Sequence, residues 1–384
     1  MRVLEFQAKR LFQDIGIPTP HGVVLRSTDD ASAVEFPAVL KAQVPVGGRG
    51  KAGGIRVVKC RREAEDALCD LRALSIKGYP VRVVLAEQER KVEREVYFAI
   101  LIHRGLNAPM VLASRSGGMD IEELARRDPR AIVRLPIDLC LGPTEHGTRS
   151  LALQLGLESR VNELRTIVGG AFELFRDLDA TLVEINPLGV SSAGLVALDA
   201  KLSLDDKAGF RRADLFDELR AEQADAVAHA MSASERVASD ARLTYVALDG
   251  NIALISDGAG TGMLALDLIH DAGGRAACFC ELGALGDARG IQTALDAVLA
   301  NDAVRVVLVS LIGGLTRMDE IAEGIYAFRT SHPGMTPTVV RMVGTKEEEG
   351  RRILARVGIA AYDDLPAAVG QAVSLAKEDR CRSS

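Results

Sequence analysis

The chain has 384 residues, 48% hydrophobic and 26% charged, with a formal net charge of −6. That length predicts two or three domains of roughly 100–200 residues each. The acidic balance gives no electrostatic footprint for nucleic acid, and five Tyr, ten Phe and no Trp offer little for base stacking.

No apolar run approaches the ~20 residues that a membrane-spanning helix needs. The opening stretch "MRVLEFQAKRLFQDIG" sets apolar residues at helical spacing among charges, unlike the apolar core of a signal peptide. The expected location is cytoplasmic, with no membrane partner. The cysteines Cys60, Cys69, Cys140, Cys278, Cys280 and Cys381 form no C-x-x-C pair and no zinc spacing, so most of them read as buried small hydrophobes in a reducing compartment.

In chain order, "AVLKAQV" reads as a strand leading into the glycine-rich stretch Gly47–Gly54, "GGRGKAGG", and "IRVVK" as a strand leading out of it. Five glycines in eight residues, with two cations among them, let backbone N–H groups approach an anion without a Cβ in the way. A Walker A loop is excluded: Ala52 follows Gly50-Lys51 where Ser or Thr belongs, Pro45 stands five before Gly50, and a strand follows where a helix is required. What remains is a glycine turn between antiparallel strands, with Lys41 on the strand that enters it. Such a hairpin can fold over phosphates, its amides donating and the lysine supplying charge.

Next come "VRVVLAEQ", "EVYFAILIHR" and "PMVLASR", strands close enough in sequence to pair antiparallel. Helical patterns follow around Thr144–Leu155 and Ser159–Asp179, then the strands "TLVEINPLGV" and "GLVALDAKLSL". If their turn is centred between Ser192 and Ala193, residues facing each other have numbers that sum to about 385. Asn186 then faces Asp199, and Glu184 faces Lys201. Period-two alternation puts Leu182, Glu184, Asn186, Ala197, Asp199 and Lys201 on one face, and Val183, Ile185, Pro187, Val196, Leu198 and Ala200 on an apolar other face. An Asn carbonyl opposite an Asp carboxylate suits a hard cation such as Mg²⁺, which takes one or two protein oxygens and fills its shell with phosphate and water.

Glu222–Asp240 is polar and alanine-rich, and the domain boundary is expected inside it. Beyond it the rhythm becomes strict strand–helix alternation: "YVALDGNIALIS", a helix from Thr261, "RAACFCEL", a helix, "VRVVLVSLIG", a helix, "TVVRMV", a helix, "IAAY" and a last helix. Parallel sheets with helical crossovers produce this pattern. "DGAGTGM" superficially suggests a dinucleotide fold, but Met263 stands where the third glycine belongs.

Lys41, "GGRGKAGG", "EINP" and "ALDAK", in that order, resemble the β subunit of succinate–CoA ligase, an ADP-forming ATP-grasp family. "EFQAKRLFQDIGIPTP", "GGMDIEELA", "YVALDGNIALISDGAG", "LIGGLTRMDEIAEGI" and "VVRMVGTKEEEG" carry the resemblance along the whole chain. It implies an α/β protein: an α+β ATP-grasp domain over residues 1–232, then a flavodoxin-like, doubly wound parallel-sheet CoA-ligase domain over 240–384. Lys41, Gly48, Arg49 and Gly50 would cradle the phosphates of ATP. Glu87, Arg90 and Glu95 match further nucleotide positions, Arg90 through its backbone alone. Asn186 and Asp199 match the Mg²⁺ ligands, and Glu184 matches a catalytic carboxylate that orients a phosphohistidine. Pro20 resembles the ATP-preferring type.

In the family the phosphoryl group passes from ATP to a histidine, then to the acid, and is then exchanged for CoA. None of the six histidines here lies in a mobile glycine-rich segment. The resemblance therefore implies an α subunit that carries the phosphohistidine and most of the CoA site. The small organic acid would be held by Asp257, Gly314, Leu315 and Thr316. Three stretches depart from the family pattern: Asp257 replaces an Asn, "ELGALGD" over Glu281–Asp287 replaces a triple glycine, and Pro45-Val46 replaces His-Ala. The first two open alternatives: another small acid (malate or a related carboxylate or sulfonate) or a regulatory nucleotide-binding subunit.

Overall fold

The computed structural model describes residues 1–227, 231–283, 286–314, 316–334 and 336–382, so Leu315 lies outside the described residues. The chain forms two compact units, Met1–Ala230 and Met231–Ser384.

The first unit is built on two antiparallel sheets. The larger runs in the order Arg2–Val3, Lys201–Leu204, Ala180–Ser191, Arg94–His103, Ala108–Ser114, Val133–Pro136, with Gly194–Ala197 also paired to Ala180–Ser191. Helices Glu145–Leu155 and Val161–Asp177 share a core with it through Leu151, Leu164, Ile167, Val168, Phe98, Ile100, Val183 and Ile185. The first of these helices begins where the Thr144 hydroxyl accepts the Gly147 N–H, and ends at Gly156, whose left-handed φ of 67° caps the carbonyl end. The smaller sheet runs Gly22–Leu25, Val83–Gln88, Ala38–Gln43, Ile55–Val58. Helix Arg61–Ala73 turns Ala64, Leu68 and Leu71 into its core. The glycine stretch thus joins two antiparallel strands, in the register Lys41↔Ile55, and no helix follows it.

The hairpin after Ala180 keeps the expected register on both sides of a break: Leu188↔Ala197 and Glu184↔Lys201 both pair. Its return strand is nevertheless split into Gly194–Ala197 and Lys201–Leu204. Against the neighbouring strand, Ile185 pairs with Phe98 but Leu188 with Val96, so one residue is bulged out beside Asn186 and Pro187. A bulge advances the alternation by one. Val183, Ile185 and Ala200 face the core as expected, but beyond the bulge the buried positions are Leu188, Leu195 and Ala197 rather than Pro187, Val196 and Leu198.

In the second unit the strands "YVALDGNIALIS" was expected to form as one are two, Thr244–Ala247 and Ile252–Ser256. Gly250 lies between them, where any Cβ would fall 2.1 Å from the Arg275 carbonyl oxygen. The sheet order is Thr244–Ala247, Ala276–Glu281, Ile252–Ser256, Val306–Gly313, Thr338–Gly344, Ala361–Tyr362; the first pair is antiparallel and all others parallel. Numbered along the chain, the parallel strands lie in the flavodoxin order 2-1-3-4-5. Alternation covers both faces. Ala253, Ile255, Val307 and Val309 meet helices Ala288–Leu299 and Met318–Ser331, while Ile252, Leu254, Val306 and Leu308 meet Ala259–Asp271 and Leu365–Arg382. Among the described residues no helix is long and apolar enough to cross a membrane.

Candidate functional site

The glycine stretch, the strand before it and the split hairpin converge on a buried knot of charge in the first unit. Lys41, on strand Ala38–Gln43, places Nζ 2.6 Å from Glu87 and 3.1 Å from Glu5. Arg49 reaches back from the glycine turn, donating to Glu5 and, bidentately, to Asp199 Oδ1 and Oδ2 at 2.7 and 2.9 Å. Lys9 closes the network, 2.8 Å from Glu5 and 2.5 Å from Glu87. Lys9 and Lys41 both donate to the Leu198 carbonyl, at 2.8 and 2.5 Å, beside the break in the hairpin. Three cations thus face three carboxylates.

Burial opposes the charge on Glu5, but Arg49, Lys41 and Lys9 outweigh it and hold this carboxyl well below its ordinary range. Burial works against Lys41 too, yet Glu5, Glu87 and Asp199 keep its ammonium more basic than usual. Burial is the largest influence on Lys9 and lowers it. Gly48 takes a φ of 89°, a conformation that favours glycine, and Gly48 and Gly50 are exposed at the turn.

Asn186 lies on strand Ala180–Ser191, Asp199 in the break between Gly194–Ala197 and Lys201–Leu204, and the two take different partners. Asp199 holds Arg49 and accepts the Ala200 N–H at 2.7 Å. The Asn186 side chain accepts the Gly118 N–H at 2.7 Å and donates to the Met119 carbonyl at 3.0 Å. The glycines of "GGMD" permit this approach: a Cβ on Gly117 would meet the Val96 carbonyl oxygen at 2.6 Å, and Gly118 has a φ of 71°. A carbonyl oxygen has two lone pairs, so Asn186 retains one for a further ligand. Glu184 pairs with Lys201 at 3.2 Å, the cross-strand pair read from the numbering. Burial raises its pKa, Lys201 opposes the rise, and Asp199 and Glu122 add to it. Arg90 and Glu95 are exposed, and Glu95 lies against the Gly118 turn.

Sequence reasoning missed Glu5 and Lys9. Their signal was present: Glu5, Ala8, Lys9 and Phe12 follow the i, i+3, i+4, i+7 stripe of helix Glu5–Asp14, and all four are buried. Two opposite charges on the apolar face of an amphipathic helix need partners from elsewhere in the fold.

In the second unit, Asp257 follows strand Ile252–Ser256, and Gly314 and Thr316 follow its neighbour Val306–Gly313. These are the carboxyl ends of the first and third parallel strands, where the order reverses and open α/β sheets bind ligands. Asp257 Oδ2 accepts the Ile312 N–H at 2.7 Å, while the buried Oδ1 has no hydrogen-bond partner among the described residues. Burial raises this carboxyl's pKa against the lowering influence of the Ile312 amide. Gly313 is in close quarters, since a Cβ there would meet the Thr316 carbonyl oxygen at 2.2 Å.

Residues 2–190 match the ATP-grasp domain family and residues 255–375 match the CoA-ligase family, so the chain is an ATP-grasp unit followed by a CoA-ligase unit. Among curated proteins it is 38% identical over 382 residues to succinate–CoA ligase (ADP-forming) subunit beta of Ignicoccus hospitalis, covering 98% of this chain and 100% of that one. The subunit of the same name from Aquifex aeolicus is 38% identical over 371 residues, covering 94% of each chain. The chain belongs to the family of succinate–CoA ligase (ADP-forming) β subunits, enzymes of acid–CoA ligation. The solved ATP citrate lyase of Methanothrix soehngenii, in complex with citrate and coenzyme A, superposes with a TM-score of 0.70 at 17% identity over 97% of this chain and 99% of that one, a likeness of fold.

Proposed function

We propose that this chain is the nucleotide-binding subunit of an ADP-forming acid–CoA ligase, holding Mg-ATP and passing its γ-phosphoryl group to a histidine on a partner α subunit. The observation that carries the reading is the knot of Lys41, Arg49 and Asp199 beneath the glycine turn, where cations and a carboxylate converge from three separate segments. Phosphoryl transfer asks a protein mainly to position and to neutralise charge. Lys41 supplies a point charge, Arg49 a planar fork suited to phosphate oxygens, and the exposed amides of Gly48 and Gly50 further donors. When Arg49 turns to phosphate, the Asp199 carboxylate and the free lone pair of Asn186 become available to Mg²⁺, which supplies charge neutralisation across the phosphates when bound.

Glu184, partly desolvated and paired with Lys201, would accept the N–H of an incoming imidazole and so orient it. In the second unit the amides around Gly314 and Thr316, ahead of helix Met318–Ser331, suit an organic carboxylate. CoA binding and the phosphorylated histidine fall to the partner. The direct test is Asp199→Ala in the co-purified complex. Mg-nucleotide-dependent labelling of the partner's histidine should be abolished while the circular dichroism stays native, and undiminished labelling would refute the assignment.

A second reading of the substrate has its own observation. Asp257, whose Oδ1 finds no partner among the described residues, brings a carboxylate to the strand ends where the acid is expected, which favours a small acid other than succinate, malate among them. A panel of carboxylic and sulfonic acids, screened for CoA- and ATP-dependent phosphate release, separates the two.

A further inference from the structure

Lys9 is a buried cation with no part in the scheme above. Its side chain is 4% exposed, and it shares all three of its acceptors, Glu5, Glu87 and the Leu198 carbonyl, with Lys41. Lys41 is the more open of the two, at 10%, and stands on the strand that feeds the glycine turn. Lys9 stands on helix Glu5–Asp14, one turn beyond Glu5, with its ammonium enclosed by the same carboxylates. A lysine that leaves this nest for a phosphate leaves Glu5 and Glu87 behind, at 1% and 2% exposure. Two carboxylates so far from water tolerate their charge only if a cation stays with them. Arg49 is no partner of Glu87: its carboxylates are Glu5 and Asp199, and in the reading above it too turns to phosphate.

We propose that Lys9 is a positioning residue, the resident counter-cation that keeps Glu5 and Glu87 neutralised and so frees Lys41 to contact a nucleotide phosphate. The proposal rests on the nucleotide reading of Lys41 given above. No bond is made or broken at Lys9; its ammonium stays in place while its neighbour exchanges a carboxylate for a phosphate oxygen. The Leu198 carbonyl, bonded to both ammoniums, ties this exchange to Asp199, the next residue along the hairpin.

The test is a titration of the full-length chain with Mg-ADP by calorimetry, comparing wild type, Lys41→Met, Lys9→Met, Glu87→Gln and the Lys9→Met/Glu87→Gln pair, with thermal melts to confirm folding. Lys9→Met should weaken binding by about tenfold or more, because Lys41 becomes the one ammonium shared by two buried carboxylates. In the Glu87→Gln background, where one of those charges is gone, the same substitution should cost less than about fivefold, a coupling of the kind that neighbours in one network show. A Lys9 that merely packs would weaken binding equally in both backgrounds, and that result overturns the proposal. So does Lys9→Met binding like wild type while Lys41→Met fails to bind, an outcome that leaves the nucleotide reading standing. If Lys41→Met binds like wild type, both fall. Should Lys9→Met alone not fold, the comparison of the double variant with Glu87→Gln decides by the same fivefold limit.

Discussion

Replacing Arg49 with alanine breaks the link between the glycine turn and the split hairpin, and its cost can be worked from the geometry. The substitution removes a guanidinium that is 11% exposed and bonded to Glu5, to both oxygens of Asp199, and at 3.3 Å to the Ala42 carbonyl. Stripping a buried charge of its partner costs about 3–5 kcal/mol, but here neither carboxylate is stripped. Glu5 keeps Lys9 and Lys41, while Asp199, 30% exposed, keeps the Ala200 amide and gains water. The loss is therefore nearer the ~2–3 kcal/mol of charge-assisted hydrogen bonds in a partly open setting. In a unit of this size each kcal/mol moves the melting temperature by about 2–4 °C, so a fall of roughly 5–10 °C is expected for nucleotide-free protein by scanning calorimetry. A fall of less than about 2 °C, under a single kcal/mol, would show that the bridge is not formed in solution.

Acid should find the same network. The folded chain holds the Glu5 carboxyl below the unfolded value of 4.5, because three cations outweigh its burial. Folded protein therefore binds that proton less readily than unfolded protein. The stabilisation is complete above the unfolded value and is lost as pH falls through the lower, folded one. Between about pH 5 and pH 3 the melting temperature should drop less steeply in Glu5→Gln than in wild type, and parallel profiles would contradict the network. Gly117→Ala pushes a methyl group against the Val96 carbonyl and displaces the turn that holds Asn186; a loss of ~1–3 kcal/mol in urea unfolding is expected, together with weaker Mg²⁺ dependence of nucleotide binding. Asp257→Asn removes a carboxylate from the proposed acid site, and kcat/KM for succinate should rise by about tenfold, equal to ~1.4 kcal/mol; an unchanged value would mean that the acid is read elsewhere.

Much of this was legible in the residues. The strand–turn–strand setting of "GGRGKAGG" followed from "AVLKAQV" and "IRVVK", and the Glu184–Lys201 pair followed from counting across a turn. The parallel sheet with helical crossovers followed from strand–helix alternation after Asp240, and its doubly wound form from the family resemblance; its strands prove apolar on both faces. Two things were not legible. The bulge beside Pro187 depends on how the neighbouring strand pairs, which no local pattern encodes, and it moved the core from Leu198 and Val196 to Ala197 and Leu195. The partner of Asp199 is Arg49 and those of Lys41 are Glu5, Glu87 and the Leu198 carbonyl, brought together by tertiary folding across 157 residues in the case of Lys41 and the Leu198 carbonyl. A buried charge on a helix stripe announces that it needs a partner, but not which one.

The most direct measurement is a crystal structure of the chain with Mg-ADP, read at a single side chain. In a nucleotide-binding subunit the Asp199 carboxylate leaves Arg49 and sits about 2.0–2.1 Å from the metal, the distance magnesium demands of oxygen, with Arg49 turned to phosphate. Nucleotide bound elsewhere, while Arg49 and Asp199 keep their bidentate pair, would contradict the assignment.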